Sequence, residues 1–197
     1  MENLAHKFYT ESEYLELEKS AEFKSEYYKG EIFAMAGASA LHNRIVRNMT
    51  GLFWEKFRNH PCNVYASDLR VRIDKTSLYT YPDLVIVCGK EEYLDNSLDT
   101  LTNPRIIFEV LSDSTEKYDR GQKFSFYREI PSLQEYILVS SREKKIEKFK
   151  RMESGNWLFS ESKDGELFLI DSIQLSLNLE DIYEKIDWSL LEDKGLR

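Results

Sequence analysis

Asp83 and Glu109 are the residues whose placement calls for chemistry. Asp83 follows Pro82 and leads into the apolar run Leu84–Val87; Glu109 lies 26 residues later, inside Ile106-Ile107-Phe108-Glu109-Val110-Leu111. A carboxylate within an apolar strand loses its hydration, so it requires a cation, a basic partner or a hydrogen-bond network. If the two runs are neighbouring strands, both acids reach one divalent ion. Oxygen ligands completed by water suit Mg²⁺ or Mn²⁺ rather than zinc. Such an ion polarises a phosphate and lowers the pKa of a bound water, which is phosphodiester-hydrolysis chemistry. Paired acids also suit general acid–base work such as glycoside hydrolysis. A purely structural reading stays open as well, with Glu109 bonded to a core partner and Asp83 capping a turn after proline.

The elements that must position these acids follow from pattern. Thr10-Glu11-Ser12-Glu13 has the form of a capping box and opens a helix to about Ser20. Lys24–Tyr28 and Glu31–Gly37 read as strands joined at Lys29-Gly30, and Ser39 caps a long helix running to about Asn59. In that helix Ile45, Met49, Leu52, Phe53 and Phe57 form an apolar stripe. Leu69, Val71 and Ile73 alternate with Arg70 and Arg72, the pattern of a half-buried strand with a basic outer face. Leu84–Val87 and Arg105–Leu111 suit central strands covered on both sides, with a polar loop between them over Gly89–Pro104. A second box, Asp113-Ser114-Thr115-Glu116, starts a helix that continues to about Glu129 and ends before Pro131. Tyr136–Val139, Lys144–Phe149 and most of Asn156–Leu179 read as strands, and a short helix near Leu179–Ile186 closes the pattern. The expected architecture is α/β (α+β), a mixed sheet flanked by helices, with an N-terminal hairpin and a β-rich C-terminal extension. All of it falls in one domain over residues 1–197.

Composition narrows the classes. The chain has 197 residues and a net charge of −8, with no apolar run of membrane-spanning length and no apolar signal-peptide core at its start, so a cytoplasmic location is expected. The negative charge opposes nucleic-acid binding in general, yet residues 142–151, REKKIEKFKR, carry six basic and two acidic side chains. That run reads first as a solvated, lysine-protected edge strand and second as a DNA groove. Cys62 and Cys88 are too few for a disulfide framework and read as small buried thiols; three scattered histidines argue against a zinc site.

Pro82-Asp83 followed by Glu109-Val110-Leu111 is similar to the PD-(D/E)XK nuclease signature. The segment FEVLSDSTEKYDRGQ at 108–122, then Lys123-Phe124-Ser125-Phe126-Tyr127 and Ile130–Val139, adds specificity, as do Glu26–Glu31 and His42. Together they resemble the bacterial Uma-type restriction endonuclease family over residues 10–185. The resemblance implies a restriction-endonuclease-like core and a metal-dependent endonuclease acting on DNA. Asp83 and Glu109 would be the metal ligands, with the Val110 carbonyl as a third. It departs from the superfamily at one point: residues i and i+2 share a strand face, so the usual lysine belongs at position 111, where Leu111 stands. The resemblance moves that role to Lys123 on the following helix, against the plainer reading of an exposed i,i+4 pair with Asp119. Glu26 joins as a further acid, and His42 and Arg120 as substrate-binding candidates. Duplex cleavage needs two scissions, so a homodimer is expected, with Trp157 and Trp188 as exposed interface anchors. The competing expectation is a scaffold or nucleic-acid-binding protein of the same fold that has lost catalysis.

Overall fold

The computed structural model describes residues 7–192. Helix α1 (Glu11–Lys19) starts at Thr10, where the capping box closes in both directions. Strands β1 (Ser25–Tyr28) and β2 (Glu31–Ala34) form a tight hairpin. Its turn puts Lys29 and Gly30 at positive φ, the geometry that matches strand twist. A Cβ at Gly30 would also lie 2.8 Å from the Phe8 ring, so glycine is needed there twice over. Helix α2 (Ala40–Lys56) begins at Ser39, whose hydroxyl accepts from the His42 amide, and buries Ile45, Met49 and Phe53.

The remaining strands are β3 (Cys62–Ala66), β4 (Arg70–Ile73), β5 (Leu78–Thr80), β6 (Leu84–Cys88), β7 (Thr100–Leu101) and β8 (Ile106–Val110). After the helical segment α3 (Glu116–Tyr118) and α4 (Phe124–Tyr127) come β9 (Glu135–Val139), β10 (Lys145–Arg151), β11 (Trp157–Lys163), β12 (Leu167–Ile170) and β13 (Leu175–Asn178). Short helices α5 (Leu179–Ile182) and α6 (Ser189–Glu192) follow. The larger sheet runs β11-β10-β9-β8-β6-β3, with only β8 and β9 parallel; the second runs β2-β1-β5-β4-β7, and β12 pairs with β13. This is a mixed α+β fold. On one face of the larger sheet, Leu84, Ile86, Phe108 and Val110 pack with α2, β12, β13 and α5. On the other, Val85, Val87, Ile107 and Leu111 share a core with the second sheet and α4.

Several expectations change. The helix expected over 115–129 is broken by a π turn at Asp119–Lys123, and its N-cap Thr115 makes no side-chain cap; Ser112 receives the Thr115 amide instead. Gly121, a poor helix former, sits in the middle of that turn. Strands β3 and β5 did not stand out, because β3 mixes polar residues and β5 has only three. The basic run is no edge: β10 lies between β9 and β11. Its lysines are matched, Lys148 and Lys150 by Asp171 and Lys144 by Glu180 and Asp164. Cys62 and Cys88 face each other in the β3–β6 register and are joined as a disulfide rather than standing as free thiols. Trp157 and Trp188 are half-buried, against Phe124 and Tyr183 respectively, not exposed anchors.

Arg70 departs most from the expected basic outer face. It is buried, donating from Nε to Thr100 (2.9 Å), from Nη1 to the Tyr81 hydroxyl (3.1 Å) and from Nη2 to Asp99 (2.9 Å). A planar guanidinium satisfies three differently placed acceptors at once, and here it ties β4 and β7 to the residue two before Asp83. Arg70→Ala should therefore cost about 2–4 kcal/mol. Urea unfolding checks this through a lower midpoint at an unchanged slope.

Candidate active site

Strands β6 and β8 pair antiparallel, Leu84 opposite Phe108 and Val85 opposite Ile107. Carried one step further, that register sets Asp83 opposite Glu109. Side chains alternate along a strand, so both acids share the face of Val85 and Ile107, toward the second sheet. Asp83 Oδ2 accepts from the Val110 amide at 2.7 Å and from His42 Nε2 at 3.0 Å. With that carboxylate as acceptor, His42 carries its proton on Nε2, and its buried Nδ1 has no partner among the described residues.

Glu109 is enclosed. Its Oε1 accepts from the Tyr127 hydroxyl at 2.8 Å and lies 2.9 Å from Lys123 Nζ. That ammonium is also 3.5 Å from Asp119 and 3.6 Å from Glu26. Asp119, Lys123 and Tyr127 recur every fourth residue; the π turn carries the first two inward and α4 the third, and all are buried. The Asp119 carbonyl is held by the Tyr136 hydroxyl of β9 at 3.0 Å. Glu26 comes from β1 in the second sheet, fixed by Thr80 of β5 and by the Tyr118 hydroxyl.

Burial dominates the electrostatics. It pushes the Glu109 carboxyl up to about 8, with Lys123 opposing and the Asp119 and Asp83 charges reinforcing. Burial likewise raises Asp119 against the pull of Lys123. For Lys123 burial acts downward, yet Glu109, Glu26 and Asp119 outweigh it and hold the ammonium well above its ordinary range. The Tyr127 phenol is raised by burial and by Glu109, so it stays a donor.

Asp83, Glu109, Val110, Lys123, Glu26 and His42 all line one cavity of about 890 Å³. Arg120 does not: its guanidinium is spent on Glu116 (2.7 Å) and Glu147. Lys123 is buried, not the exposed surface pair with Asp119 that helical spacing alone allowed. The sequence reading gave Asp119 no role beyond pairing with Lys123 and passed over Tyr118 and Tyr127; the four-residue recurrence through Lys123 was the signal for Asp119 and Tyr127, and Tyr118 had none. It also missed Arg142, which lines the cavity and pairs with Asp113.

The donor set can be weighed against a metal ion. No hydrogen bond from the described residues reaches Asp83 Oδ1 or Glu109 Oε2. Among the described residues no three carboxylate, imidazole or thiol groups form a closed metal cage. One oxygen from each of two facing carboxylates, completed by water, fits Mg²⁺, which keeps several waters and takes one or two carboxylates.

The sequence profile of Uma2, a family described as "Putative restriction endonuclease", matches residues 11–180. The chain belongs to the Uma2 family. Two relatives from Synechocystis sp. are both named as uncharacterized proteins. Protein sll1609 is 39% identical over 155 residues, covering 79% of this chain and 88% of its own. Protein slr1290 is 37% identical over 171 residues, covering 87% and 89%. The crystal structure of a "putative nuclease belonging to DUF820" from Anabaena variabilis superposes with a TM-score of 0.72 at 16% identity, covering 87% of this chain and 96% of that one. At that identity the likeness establishes a shared fold. Among the described residues no helix is long and apolar enough to cross a membrane.

The ion-pair geometry has a measurable consequence. Lys123→Ala should cost about 3–5 kcal/mol, because it strands buried carboxylates without their cation. The folded variant then holds protons to higher pH than the unfolded chain, so the loss should be larger at pH 8 than at pH 5.5. Urea unfolding at the two pH values, without added metal, checks both sign and size.

Proposed function

We propose that this chain is a divalent-metal-dependent endonuclease that hydrolyses DNA phosphodiester bonds, acting as one domain over residues 1–197. The observation that carries it is the facing pair Asp83 and Glu109, each with one oxygen that no hydrogen bond from the described residues reaches, beside the buried ammonium of Lys123. In this reading Asp83 and Glu109, with the Val110 carbonyl, hold Mg²⁺ or Mn²⁺. When bound, the ion supplies Lewis-acid polarisation of the phosphate and a more acidic water. Val110 and His42 fix the Asp83 carboxylate by hydrogen bonds to Oδ2. Tyr127 and Lys123 orient Glu109 through Oε1. Lys123 offers a positive charge to the phosphate or the attacking water, and Glu26, on the far side of the ammonium, is the further acid that can accept a proton. His42 lies against the cavity as a substrate contact, whereas Arg120 is too fully paired for that role. The same reading takes the protein as cytoplasmic and as a homodimer, whose two-fold axis matches duplex DNA.

One observation favours a second reading. Lys123 lies 2.9 Å from Glu109 and answers its charge, as expected of a fold kept for binding or scaffolding after catalysis has gone. Incubation of the pure protein with plasmid and linear DNA in Mg²⁺ or Mn²⁺ separates the two. The nuclease reading predicts chelator-sensitive cleavage and a loss of at least about 100-fold in Asp83→Asn and Glu109→Gln, with light scattering giving twice the monomer mass. Calorimetric Mn²⁺ binding with no cleavage would establish the second reading, and chelator-insensitive hydrolysis would point to plain acid–base chemistry at the two carboxylates.

A further inference from the structure

A smaller cavity of about 340 Å³ adjoins the acidic cleft and shares three of its walls, Glu26, Phe33 and Tyr118. Its other walls are Tyr28, Leu78, Phe126 and the exposed Gln122. Tyr28 and Phe126 are packed ring against ring, with centroids 4.9 Å apart. Phe33 is 47% exposed although it is large and apolar. Gln122 lines the cavity, and no hydrogen bond among the described residues occupies its side-chain amide, a donor group and an acceptor. The volume falls in the range of small-ligand sites, about 300 Å³ upward. Apart from Glu26 and Tyr118, these walls take no part in the contacts among the carboxylates and the lysine.

The charge of the main cleft narrows what the small cavity holds. Among the described residues, five carboxylates line that cleft (Glu26, Asp83, Glu109, Asp113 and Asp119), against two full cations, Lys123 and Arg142. Both cations are already paired, with Glu109 and Asp113 respectively. A strand of phosphates therefore gains little from side-chain charge here, in contrast to the basic surfaces that usually carry nucleic-acid affinity. Stacking of a base on an aromatic ring is indifferent to that balance, since every base has a π face. An aromatic pocket rimmed by an amide and opening beside the carboxylates supplies the missing affinity.

We infer that this pocket receives a nucleobase taken out of pairing next to the bond to be cut, stacked against Phe33 and Tyr28 and hydrogen-bonded along its edge by Gln122. The inference rests on the nuclease reading and narrows its substrate to DNA with an unpaired base at the cleavage point: single strands, gaps and mismatches. Extruding a base costs least where it is already unpaired, which makes the pocket a selectivity device.

The test uses the full chain, Phe33→Ala and Gln122→Trp, the second filling the pocket mouth from an exposed position. Circular-dichroism melts establish that both fold. Single-stranded oligonucleotides carrying one abasic site, moved step by step along the strand, are cleaved in Mn²⁺. One abasic position, at a fixed step from the cut, should slow the wild type about tenfold, the scale of one lost stacking contact. In both variants that penalty should shrink below about threefold, because the contact is already gone. Equal cleavage of every abasic strand by the wild type would overturn the pocket while leaving the nuclease reading intact. If the wild type cuts no DNA, the nuclease reading fails and binding decides the pocket by itself. In that case, Phe33-dependent quenching of a 2-aminopurine oligonucleotide in Mn²⁺ would support it, and no quenching would overturn it.

Discussion

A carboxylate buried in the middle of a sheet has to be answered by something, and around Glu109 the answer is Lys123. The 2.9 Å contact between them binds a central strand to a helical segment. Its approach to Asp119 stays within the π turn that carries it, and its approach to Glu26 reaches the second sheet. Neither charge is stable there alone: without the lysine, Glu109 and Asp119 would both carry desolvation with no compensating cation. With it, three elements that share no backbone hydrogen bonds with one another are held to a common point. Charge still does not balance. Three carboxylates surround one ammonium, and Asp83 stands opposite Glu109, so the pocket favours either a proton on Glu109 or a second cation. That residual negative charge is what suits the site to a divalent ion.

The surrounding fold is arranged to hold the imbalance in place. Asp83 is pinned through one oxygen by the Val110 amide and His42, while Arg70 clamps Tyr81 just before it. Glu26 is held by Thr80 and Tyr118. Each acid is thus fixed by donors from an element other than its own, which is how a site stays preorganised when its charges repel. The π turn contributes by bringing Asp119 and Lys123 inward together; π turns recur at functional positions for this kind of re-aiming.

Much of this was legible in the sequence. The continuous apolar runs beside Asp83 and around Glu109 marked both strands, while the antiparallel register that puts both acids on one face came only with the fold. The caps at Thr10 and Ser39 are where the side-chain pattern put them, because such hydrogen bonds are local. Most of the departures are non-local. Arg70 reads as exposed in a one-dimensional alternation, but three acceptors distant in sequence, Tyr81, Asp99 and Thr100, receive it in the interior. The lysines of β10 read as a solvated edge because the acids that match them, such as Asp171 and Glu180, lie well down the chain. Cys62 and Cys88 meet only once the β3–β6 register exists. The π turn has no signature beyond Gly121, and Arg120, one residue from the inward face, is carried round to Glu116 and Glu147 instead of the cavity.

The central claim is that Asp83 and Glu109 together hold a divalent cation. Anomalous diffraction at the manganese edge, from crystals soaked in Mn²⁺, tests it most directly. The account predicts one peak bounded by Asp83 Oδ1 and Glu109 Oε2, with ligand distances near about 2.1 Å, absent from Asp83→Asn crystals soaked in parallel. A cleft with no peak at saturating Mn²⁺, and the Lys123–Glu109 contact unchanged, would contradict it.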